Sequence, residues 1–383
     1  MLIYLSFLQS KVKHPIPAYS FWEYYIKNGI EEGDNLWVEG DVDWAEGLLY
    51  TFDKEKLAKW KTEVWEKTLV DIEAKHKKNQ ITFFLSYLYP HQVEEQAIKS
   101  IQNMGIPCIN FFCDNVREFT RIPKEFAVFN LNWVPEYKAI NMYKKAGYNF
   151  INLPMPMWVA PIYRNISTIE TSDLSFIGSI DVQRWILFEE VIKNNPNIKI
   201  YGAGWNDETG FSHASPTKKS ILKKIINQVD FVNKQGIDGF IRKLSQRNIS
   251  IKISPNLQSC LKGKLNFEDY IKVTKESSIT LGVNRFPSYR HQINSPNSYS
   301  RLRDIEAPML GACYLTEYTD GLENMYELNN EIAIYHSTEE LLYNLKELSL
   351  NIEKRKKMRI NGQRKALNEN SIPRSLKMIQ EKI

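Results

Sequence analysis

Two side chains of opposite charge, Arg303 and Glu306, lie three residues apart in the sequence YSRLRDIEAPMLGACYLTEY of residues 299–318. The pattern predicts a helix over 301–309, which would place both side chains on one side of that helix. A guanidinium suits anionic oxygens such as those of phosphate, whereas a carboxylate accepts hydrogen bonds from hydroxyl groups. The two could instead form a surface ion pair that contributes about 0.2–0.5 kcal/mol. The pair is therefore a candidate for ligand binding, with the ion pair as the alternative.

Three carboxylates in the first half of the chain are candidates for proton transfer. Asp43 and Glu46 follow a tryptophan-rich segment, and Asp114 comes directly after the apolar stretch IPCINFFC of residues 106–113. A carboxylate beside a substrate can act as a general base, although solvated loop carboxylates are commoner. Neither the four cysteines nor the six histidines show the spacing of a metal site. The sequence thus predicts no metal and no bound cofactor, and its cysteine usage favours a reducing, cytoplasmic compartment.

The order of strands and helices predicts two α/β domains that would carry these residues at sheet edges. Two strand–helix–strand patterns are present, at 81–89, 92–104 and 106–113 and again at 174–178, 183–194 and 198–202. Further strands are expected at 126–132, 150–153, 278–283, 312–315 and 332–335. Three prolines within 153–161 separate the halves. We predict domains at 1–155 and 156–370 with parallel sheets, whose ligand-contacting loops follow the carboxyl ends of the strands.

The segment 206–265 interrupts this pattern and is predicted to be an inserted, basic helical segment. Apolar residues at helical spacing over 221–229, together with Lys223 and Lys224, give one apolar and one cationic face. Such a helix could dock on a membrane surface, but an ordinary amphipathic helix packed on its own domain is commoner. No apolar stretch approaches the roughly 20 residues that span a bilayer. A net charge of +5 does not by itself resemble a nucleic-acid-binding surface.

The region around Arg303 resembles the C-terminal signature of group-1-like glycosyltransferases, especially their CgeB-like branch. The signature is Arg-x-x-Glu-Ala, then a glycine and a short strand ending in threonine, here Arg303, Glu306, Ala307, Gly311 and Thr316. The match continues through Glu331 and Ile332 to a closing Ser371-x-x-Arg374. Three upstream motifs follow in the same order as in that branch, namely FIGS at 176–179 with Arg184, YGAGW at 201–205 and LGVN at 281–284.

This resemblance implies a GT-B fold, in which two facing Rossmann-like domains hold a nucleotide-sugar in a deep cleft and a final helix, here about 371–383, returns to the first domain. It implies that the second domain binds the donor, through Gly178, Ser179, Arg184, Gly202, Gly204, Leu265, Asn284, Arg303, Glu306 and Thr316. In a metal-free site, Arg303 and the backbone at Gly178 and Ser179 would stabilise the departing diphosphate. Glu306 matches the family position that accepts hydrogen bonds from the ribose hydroxyls.

The implied activity is the metal-independent, hexosyltransferase-like transfer of a sugar from a UDP- or GDP-linked donor to a glycan, lipid-linked or protein acceptor. Many retaining relatives carry a second glutamate eight positions before the Glu306 position, where this chain has Ser298. The stereochemical outcome therefore stays open, and an inverting reaction would take Asp43, Glu46 or Asp114 as general base. Two alternatives are a sugar-nucleotide epimerase of the same fold and a non-catalytic nucleotide-binding protein.

Overall fold

The computed structural model describes residues 1–10, 18–51, 53–194, 197–205, 241, 244–245, 252–286 and 296–383. The amphipathic helix predicted at 221–229, with Lys223 and Lys224, lies outside the described residues. The chain divides into two units, the first made of Met1–Trp158 with Asn368–Ile383 and the second of Val159–Leu367. In the described part of the chain, no helix is long and apolar enough to cross a membrane.

The first unit is built on a six-stranded parallel sheet with strand order β2-β1-β3-β4-β5-β6. Its strands are β1 Leu2–Ser6, β2 Leu36–Glu39, β3 Phe83–Ser86, β4 Cys108–Phe111, β5 Leu131–Val134 and β6 Phe150–Asn152. Parallel strands covered on both faces read as continuous apolar runs rather than alternating ones. All four residues of β3, and all four of β4, are accordingly buried.

The helices of the first unit connect these strands and cover the sheet. The α-helices are Ala18–Glu32, Lys54–Lys78, Glu95–Asn103, Asn115–Glu118, Ile140–Ala146 and Ile372–Lys382. Short 3-10 helices lie at Ala45–Tyr50, Pro90–Gln92, Lys124–Val128 and Tyr137–Ala139. The strand predicted over 126–132 is therefore wrong in its first half, because Lys124–Val128 is helical and the strand begins at Leu131.

The C-terminal helix Ile372–Lys382 packs within the first unit, against the helix Ala18–Glu32. The contact is close because Gly29 has no side chain: a Cβ placed there would lie 2.5–2.7 Å from three atoms of the Ile372 side chain. The helix begins at Ser371, whose hydroxyl accepts a hydrogen bond from the backbone N–H of Arg374 at 3.4 Å. Such an N-cap fixes where the chain turns into the helix.

The second unit repeats the arrangement with a six-stranded parallel sheet in the order β12-β11-β10-β7-β8-β9. Its strands are β7 Thr171–Ile177, β8 Ile198–Tyr201, β9 Leu261–Gly263, β10 Ser277–Gly282, β11 Tyr314–Glu317 and β12 Ala333–Tyr335. All six residues of β10 are buried. The core on this sheet includes Leu174, Phe176, Phe188, Ile200, Trp205, Ile279, Leu281 and Leu315.

The second unit has a 3-10 helix at Pro161–Tyr163 and seven α-helices with both ends in the described residues. The α-helices are Val182–Asn194, Pro255–Cys260, Phe267–Glu276, Arg303–Met309, Leu322–Met325, Thr338–Leu350 and Ile352–Glu369. The last part of the predicted insertion belongs to the α/β core of the second unit, because β9 pairs with β8 and the helix Pro255–Cys260 contacts the same strand. A three-residue strand ending in glycine carries too little periodicity to be found from the sequence.

Candidate functional site

The carboxyl edge of the second sheet collects most of the predicted ligand-binding residues. Gly178 and Ser179 follow β7, Gly202 and Gly204 follow β8, and Asn284 follows β10. Thr316 is the third of the four residues of β11, all of which are buried. Carboxyl ends of neighbouring parallel strands meet at one edge, which is where ligands bind in open α/β sheets. The second unit therefore brings these positions to the side of the sheet where a binding site is expected.

The loops after β7 and β8 touch each other through glycine backbone. Gly178 donates a backbone hydrogen bond to Tyr201 O at 2.8 Å, and Trp205 Nε1 donates to Gly178 O at 2.8 Å. Gly202 has a φ of +144°, and a Cβ at this position would lie 2.5 Å from the carbonyl carbon of Gly178. Glycine at position 202 is thus required by the close approach of the two loops.

We expect the Gly202→Ala substitution to lower the melting temperature of the full chain. A positive φ costs an alanine about 1–3 kcal/mol, the clash with Gly178 adds to this, and each kcal/mol lost lowers the melting temperature of a unit this size by about 2–4 °C. Gly263→Ala is the matched control, because Gly263 also has a positive φ (+81°) but open space around its Cα. Equal melting temperatures of the two variants, measured by calorimetry, would contradict the role of the loop contact.

Three half-buried arginines near this edge each have a buried side-chain nitrogen that makes no hydrogen bond with the described residues, although one of these nitrogens, Arg184 Nε, lies 3.4 Å from Asp181 Oδ2 in an ion pair. The side-chain nitrogens Arg184 Nε, Arg301 Nε and Arg303 Nη1 are buried and have no hydrogen-bond partner among the described residues. Burial lowers the pKa of Arg184, Asp181 opposes this, and the positive charges of Arg301 and Arg303 lower it further. Arg301 and Arg303 thus both act on Arg184 through their charge, as nearby like charges do.

Two of these arginines, Arg184 and Arg301, are held in place by contacts of their remaining atoms. Arg184 Nη1 donates to Ser179 O at 2.8 Å, so the predicted residues Arg184 and Ser179 are in direct contact. Arg301 Nη2 donates to Arg285 O at 2.6 Å, and its guanidinium lies 4.4 Å from the ring centroid of Tyr299. Arg285 itself is paired with Glu317 at 2.8 Å. Contacts within the second unit therefore fix the side chains of Arg184 and Arg301.

Arg303 and Glu306 do not form the ion pair that their spacing allows. No oxygen of Glu306 lies within the 4.0 Å of Arg303 that defines a salt bridge, and the carboxylate instead accepts a hydrogen bond from the hydroxyl of Tyr270. The guanidinium of Arg303 lies 5.1 Å from the ring centroid of the same tyrosine. Burial works to lower the pKa of Arg303, but the neighbouring Tyr270 and Glu306 outweigh it and raise this pKa.

A buried carboxylate, Asp304, lies between these two residues in the sequence. It connects several residues of the site by accepting their hydrogen bonds. Its side chain is fully buried (0% exposed). It accepts hydrogen bonds from Asn284 Nδ2 (3.0 Å to each oxygen), Ser300 Oγ (2.9 Å), Arg301 N (2.9 Å), Tyr314 OH (2.8 Å) and Thr316 Oγ1 (3.1 Å). A buried charge is tolerated when hydrogen bonds of this kind satisfy it.

Two of the predicted ligand-binding residues, Asn284 and Thr316, are partners of Asp304. Both are buried, and Asn284 Nδ2 also lies 3.1 Å from Thr316 Oγ1 and 3.2 Å from Glu317 O. Their side chains thus connect the segment after β10 to β11 and to the helix Arg303–Met309. The remaining predicted residue, Leu265, lies half-buried in the loop between β9 and the helix Phe267–Glu276.

Sequence reasoning missed Asp304, Tyr270, Arg285 and Arg301. One signal was present for Asp304, which is spaced three and four residues from the buried Ala307 and Pro308 and so shares their apolar helix face. A charged residue on such a face is buried only when its hydrogen bonds are satisfied.

Ser298, at the position of the second glutamate of many relatives, donates a hydrogen bond to Tyr318 O at 2.9 Å.

The candidate bases of the first unit lie on its own sheet edge. Asp43 accepts hydrogen bonds from Glu46 N (2.9 Å) and Ser10 Oγ (3.2 Å), and it thereby holds the start of the 3-10 helix Ala45–Tyr50. Asp114 follows β4, with its carboxylate 3.8 Å from Arg117 Nη1. Glu46 accepts a hydrogen bond from Tyr50 OH at 2.5 Å, so all three candidates are engaged by neighbouring residues of the first unit.

A further carboxylate of this unit, Glu136, follows β5 and was not found from the sequence. It is 5% exposed and accepts backbone hydrogen bonds from Asn115 at 2.6 Å and Val116 at 3.3 Å. Burial raises the pKa of Glu136 to about 8. The charge of Asp114 also raises this pKa, whereas the hydrogen bonds from Asn115 and Val116 lower it. A carboxyl group in this range can change protonation near neutral pH.

Among the described residues, no three His, Cys, Asp or Glu side chains group as metal ligands.

The arrangement of two parallel six-stranded sheets is that of GT-B glycosyltransferases, and solved structures of low sequence identity share it. Sucrose-phosphate synthase from Thermosynechococcus elongatus superposes with a TM-score of 0.53 at 10% identity, covering 99% of this chain and 98% of that one. Alr3699/HepE from Anabaena, in complex with UDP and glucose, gives 0.52 at 10% identity, covering 99% and 98%. AviGT4, a glycosyltransferase involved in avilamycin A biosynthesis, gives 0.50 at 11% identity, covering 99% and 96%. These likenesses define the fold as GT-B.

The sequence then identifies the family. A family profile described as glycosyl transferase-like matches residues 183–380, just over half of the 383 residues of the chain. The chain belongs to this family and is a glycosyltransferase. A comparison with curated proteins gives no match.

Proposed function

We propose that the second unit binds a nucleotide-sugar donor, with its diphosphate on Arg184, Arg301 and Arg303 and its ribose on Glu306. The observation that carries this proposal is the set of buried guanidinium nitrogens without hydrogen-bond partners among the described residues. Buried charged donors left unsatisfied are costly, and the oxygens of a diphosphate would satisfy several of them at once. One similar structure was obtained with UDP and glucose bound, which makes a uridine nucleotide the first donor class to test.

The chemistry follows from the charges of the bound donor. The bond between the anomeric carbon and the phosphate oxygen breaks, a bond from this carbon to an acceptor oxygen forms, and negative charge develops on the departing diphosphate. Preorganised arginines stabilise that charge, and we propose that they do so without a metal ion. The acceptor hydroxyl gives its proton to a base, for which Asp43 and Asp114 are our candidates.

Several finer assignments belong to the same proposal. We infer a CgeB-like, hexosyltransferase-like enzyme that uses a UDP- or GDP-linked sugar and has a glycan, lipid-linked or protein acceptor. A cytoplasmic location is supported by the four cysteines, which are buried and form no disulfide bond. Peripheral contact with a membrane through the basic segment 221–229 is also part of this proposal. Its support is the amphipathic sequence pattern of that segment. Release of nucleoside diphosphate from a panel of nucleotide-sugars would identify the donor.

The ribose role of Glu306 predicts a loss of nucleotide affinity on substitution. In Glu306→Ala, hydrogen bonds from hydroxyls to a carboxylate are lost, each contributing about 1.5–3 kcal/mol, with water recovering part. Glu306→Gln keeps the shape and one acceptor oxygen, so its affinity should fall between those of Glu306→Ala and the wild type. Isothermal titration with UDP and GDP measures this.

The matched control is Glu353→Ala, because Glu353 is an exposed glutamate of the same unit. Its affinity for the nucleotide should equal that of the wild type. If Glu306→Ala also binds nucleotide and turns over donor like the wild type, the site is elsewhere. Tight binding of nucleotide by a wild type that releases no diphosphate from any donor would favour a non-catalytic protein, and consumption of donor without acceptor would favour an epimerase.

A further inference from the structure

We propose that Tyr270 is a positioning residue that holds Glu306 and thereby sets the preference of the site for ribonucleotides over 2′-deoxyribonucleotides. The inference rests on the proposed ribose role of Glu306. Tyr270 lies on a different helix from Glu306, 36 residues earlier in the sequence, and its hydroxyl donates a hydrogen bond to Glu306 Oε2. Both residues are half-buried, so solvent and ligand can reach the pair.

The backbone that carries Tyr270 is well fixed. The helix Phe267–Glu276 begins at Asn266, whose side chain accepts from Asp269 N at 2.8 Å and donates to Asp269 Oδ2 at 2.8 Å. Tyr270 N donates to Asn266 O at 2.9 Å, and Thr274 Oγ1 donates to Tyr270 O at 2.7 Å. The phenol therefore presents its hydroxyl to Glu306 from a rigid support, as positioning requires.

The hydrogen bond leaves Glu306 able to bind two hydroxyl groups. An ionised carboxylate offers about four lone-pair sites on its two oxygens. Tyr270 occupies one site on Oε2, and no hydrogen bond to Oε1 is present among the described residues. A carboxylate held in one rotamer discriminates between a ribose with both hydroxyls and a deoxyribose with one, because the missing hydroxyl leaves an acceptor without its partner.

The same tyrosine keeps Glu306 from neutralising Arg303. Residues three apart on a helix readily form an ion pair, yet here the ring of Tyr270 lies 5.1 Å from the Arg303 guanidinium while its hydroxyl takes the carboxylate. The arginine is left with a buried Nη1 that has no hydrogen-bond partner among the described residues. The Tyr270 side chain thus keeps the Glu306 carboxylate and the Arg303 guanidinium apart. On the proposed function, each of them can then contact a different part of the donor.

The test uses Tyr270→Phe, which keeps the ring beside Arg303 and removes only the hydroxyl. The probes are UDP, 2′-deoxy-UDP and inorganic pyrophosphate, with GDP and 2′-deoxy-GDP replacing the uridine pair if the wild type prefers GDP. Dissociation constants are measured by titration calorimetry on the full chain. We expect the wild type to prefer the ribonucleotide by about 10- to 100-fold, the loss of one hydrogen bond to a charged group, and Tyr270→Phe to keep only about 3-fold.

Two further measurements separate positioning from general damage. The affinity for pyrophosphate should be unchanged in Tyr270→Phe, because only the arginines contact it. In a Glu306→Ala background, adding Tyr270→Phe should not change the ribonucleotide preference further, which is the non-additivity of residues that act as a unit. Tyr343→Phe is the matched control, since Tyr343 is an exposed tyrosine of the same unit (69% exposed), and its preference should equal that of the wild type.

The outcomes distinguish this inference from the proposed function. If Glu306→Ala abolishes the preference but Tyr270→Phe retains it, Glu306 binds the ribose without help and the positioning role is overturned. If the preference survives in Glu306→Ala as well, the ribose role fails and the inference fails with it. A parallel loss of pyrophosphate affinity in Tyr270→Phe would mean that the hydroxyl supports the whole site, which also overturns a role confined to ribose selection.

Discussion

Replacing Arg303 with alanine is expected to lower kcat by about 10²- to 10³-fold, the usual effect of removing one preorganised group that stabilises developing charge. Its buried Nη1 has no hydrogen-bond partner among the described residues, and the neighbouring Tyr270 and Glu306 raise its pKa despite burial. The guanidinium therefore stays charged and available to a diphosphate. The loss should appear in kcat and in kcat/KM together, because the charge develops in the transition state.

Arg303→Lys and Arg364→Ala complete the experiment on this residue. Lysine keeps the charge but lacks the planar fork of donors. The kcat of Arg303→Lys should therefore lie between those of Arg303→Ala and the wild type. Arg364 is an exposed arginine of the same unit, and its alanine variant should match the wild type in initial rates of nucleoside diphosphate release. A kcat of Arg303→Ala within about 3-fold of the wild type, well short of the effect of a charge-stabilising group, would exclude the proposed role.

The second large effect is expected on stability, from Asp304→Ala. The substitution leaves the buried hydroxyl of Tyr314 without its acceptor and removes one partner each of Asn284 Nδ2 and Ser300 Oγ, and an unsatisfied buried group costs about 1–3 kcal/mol. Since such losses are not additive within one network, we expect a total of about 3–5 kcal/mol, a large share of the free energy of unfolding of an ordinary domain. Asp304→Asn keeps the shape and one acceptor oxygen, so it should lose less.

Calorimetric unfolding of the full chain measures this loss as a fall in melting temperature. The control is Asp320→Ala, which removes an exposed aspartate near the end of β11 and should leave the melting temperature within about 1 °C of the wild type, because surface substitutions change stability little. A melting temperature of Asp304→Ala equal to that of this control would show that the hydrogen-bond network does not support the second unit.

Local sequence patterns predicted most of the fold because each strand and helix has its own periodicity. The helix predicted at 183–194, which is Val182–Asn194 in the structure, and the buried strand β10 lie where the sequence placed them, since a long apolar periodicity or a continuous apolar run identifies each. The segment 126–132 was assigned partly to the wrong structure, because five residues of 3-10 helix carry no distinctive period.

The site was predictable only where its residues are close together in the sequence. Arg303 and Glu306 stand three apart in one motif, but Tyr270 reaches them from 36 residues away, and periodicity does not tell which distant side chains will meet. The Asp304 network likewise joins residues from 284 to 316. Two of its members, Asn284 and Thr316, were predicted individually as ligand-binding residues, whereas the structure shows both of them hydrogen-bonded to Asp304.

The alternation along Arg303, Asp304 and Glu306 has a consequence for how such an enzyme can diversify. The residue that anchors the scaffold is fully buried, while the two beside it on the same short helix are half-buried and free of the anchor's hydrogen bonds. Substitutions at 303 and 306 therefore leave the side-chain hydrogen bonds of Asp304 in place, so their effects on the proposed donor binding can be measured in a second unit that keeps its fold. On our proposal, ligand contact and support of the fold come from neighbouring positions of one short helix, and separate substitutions can test each of them.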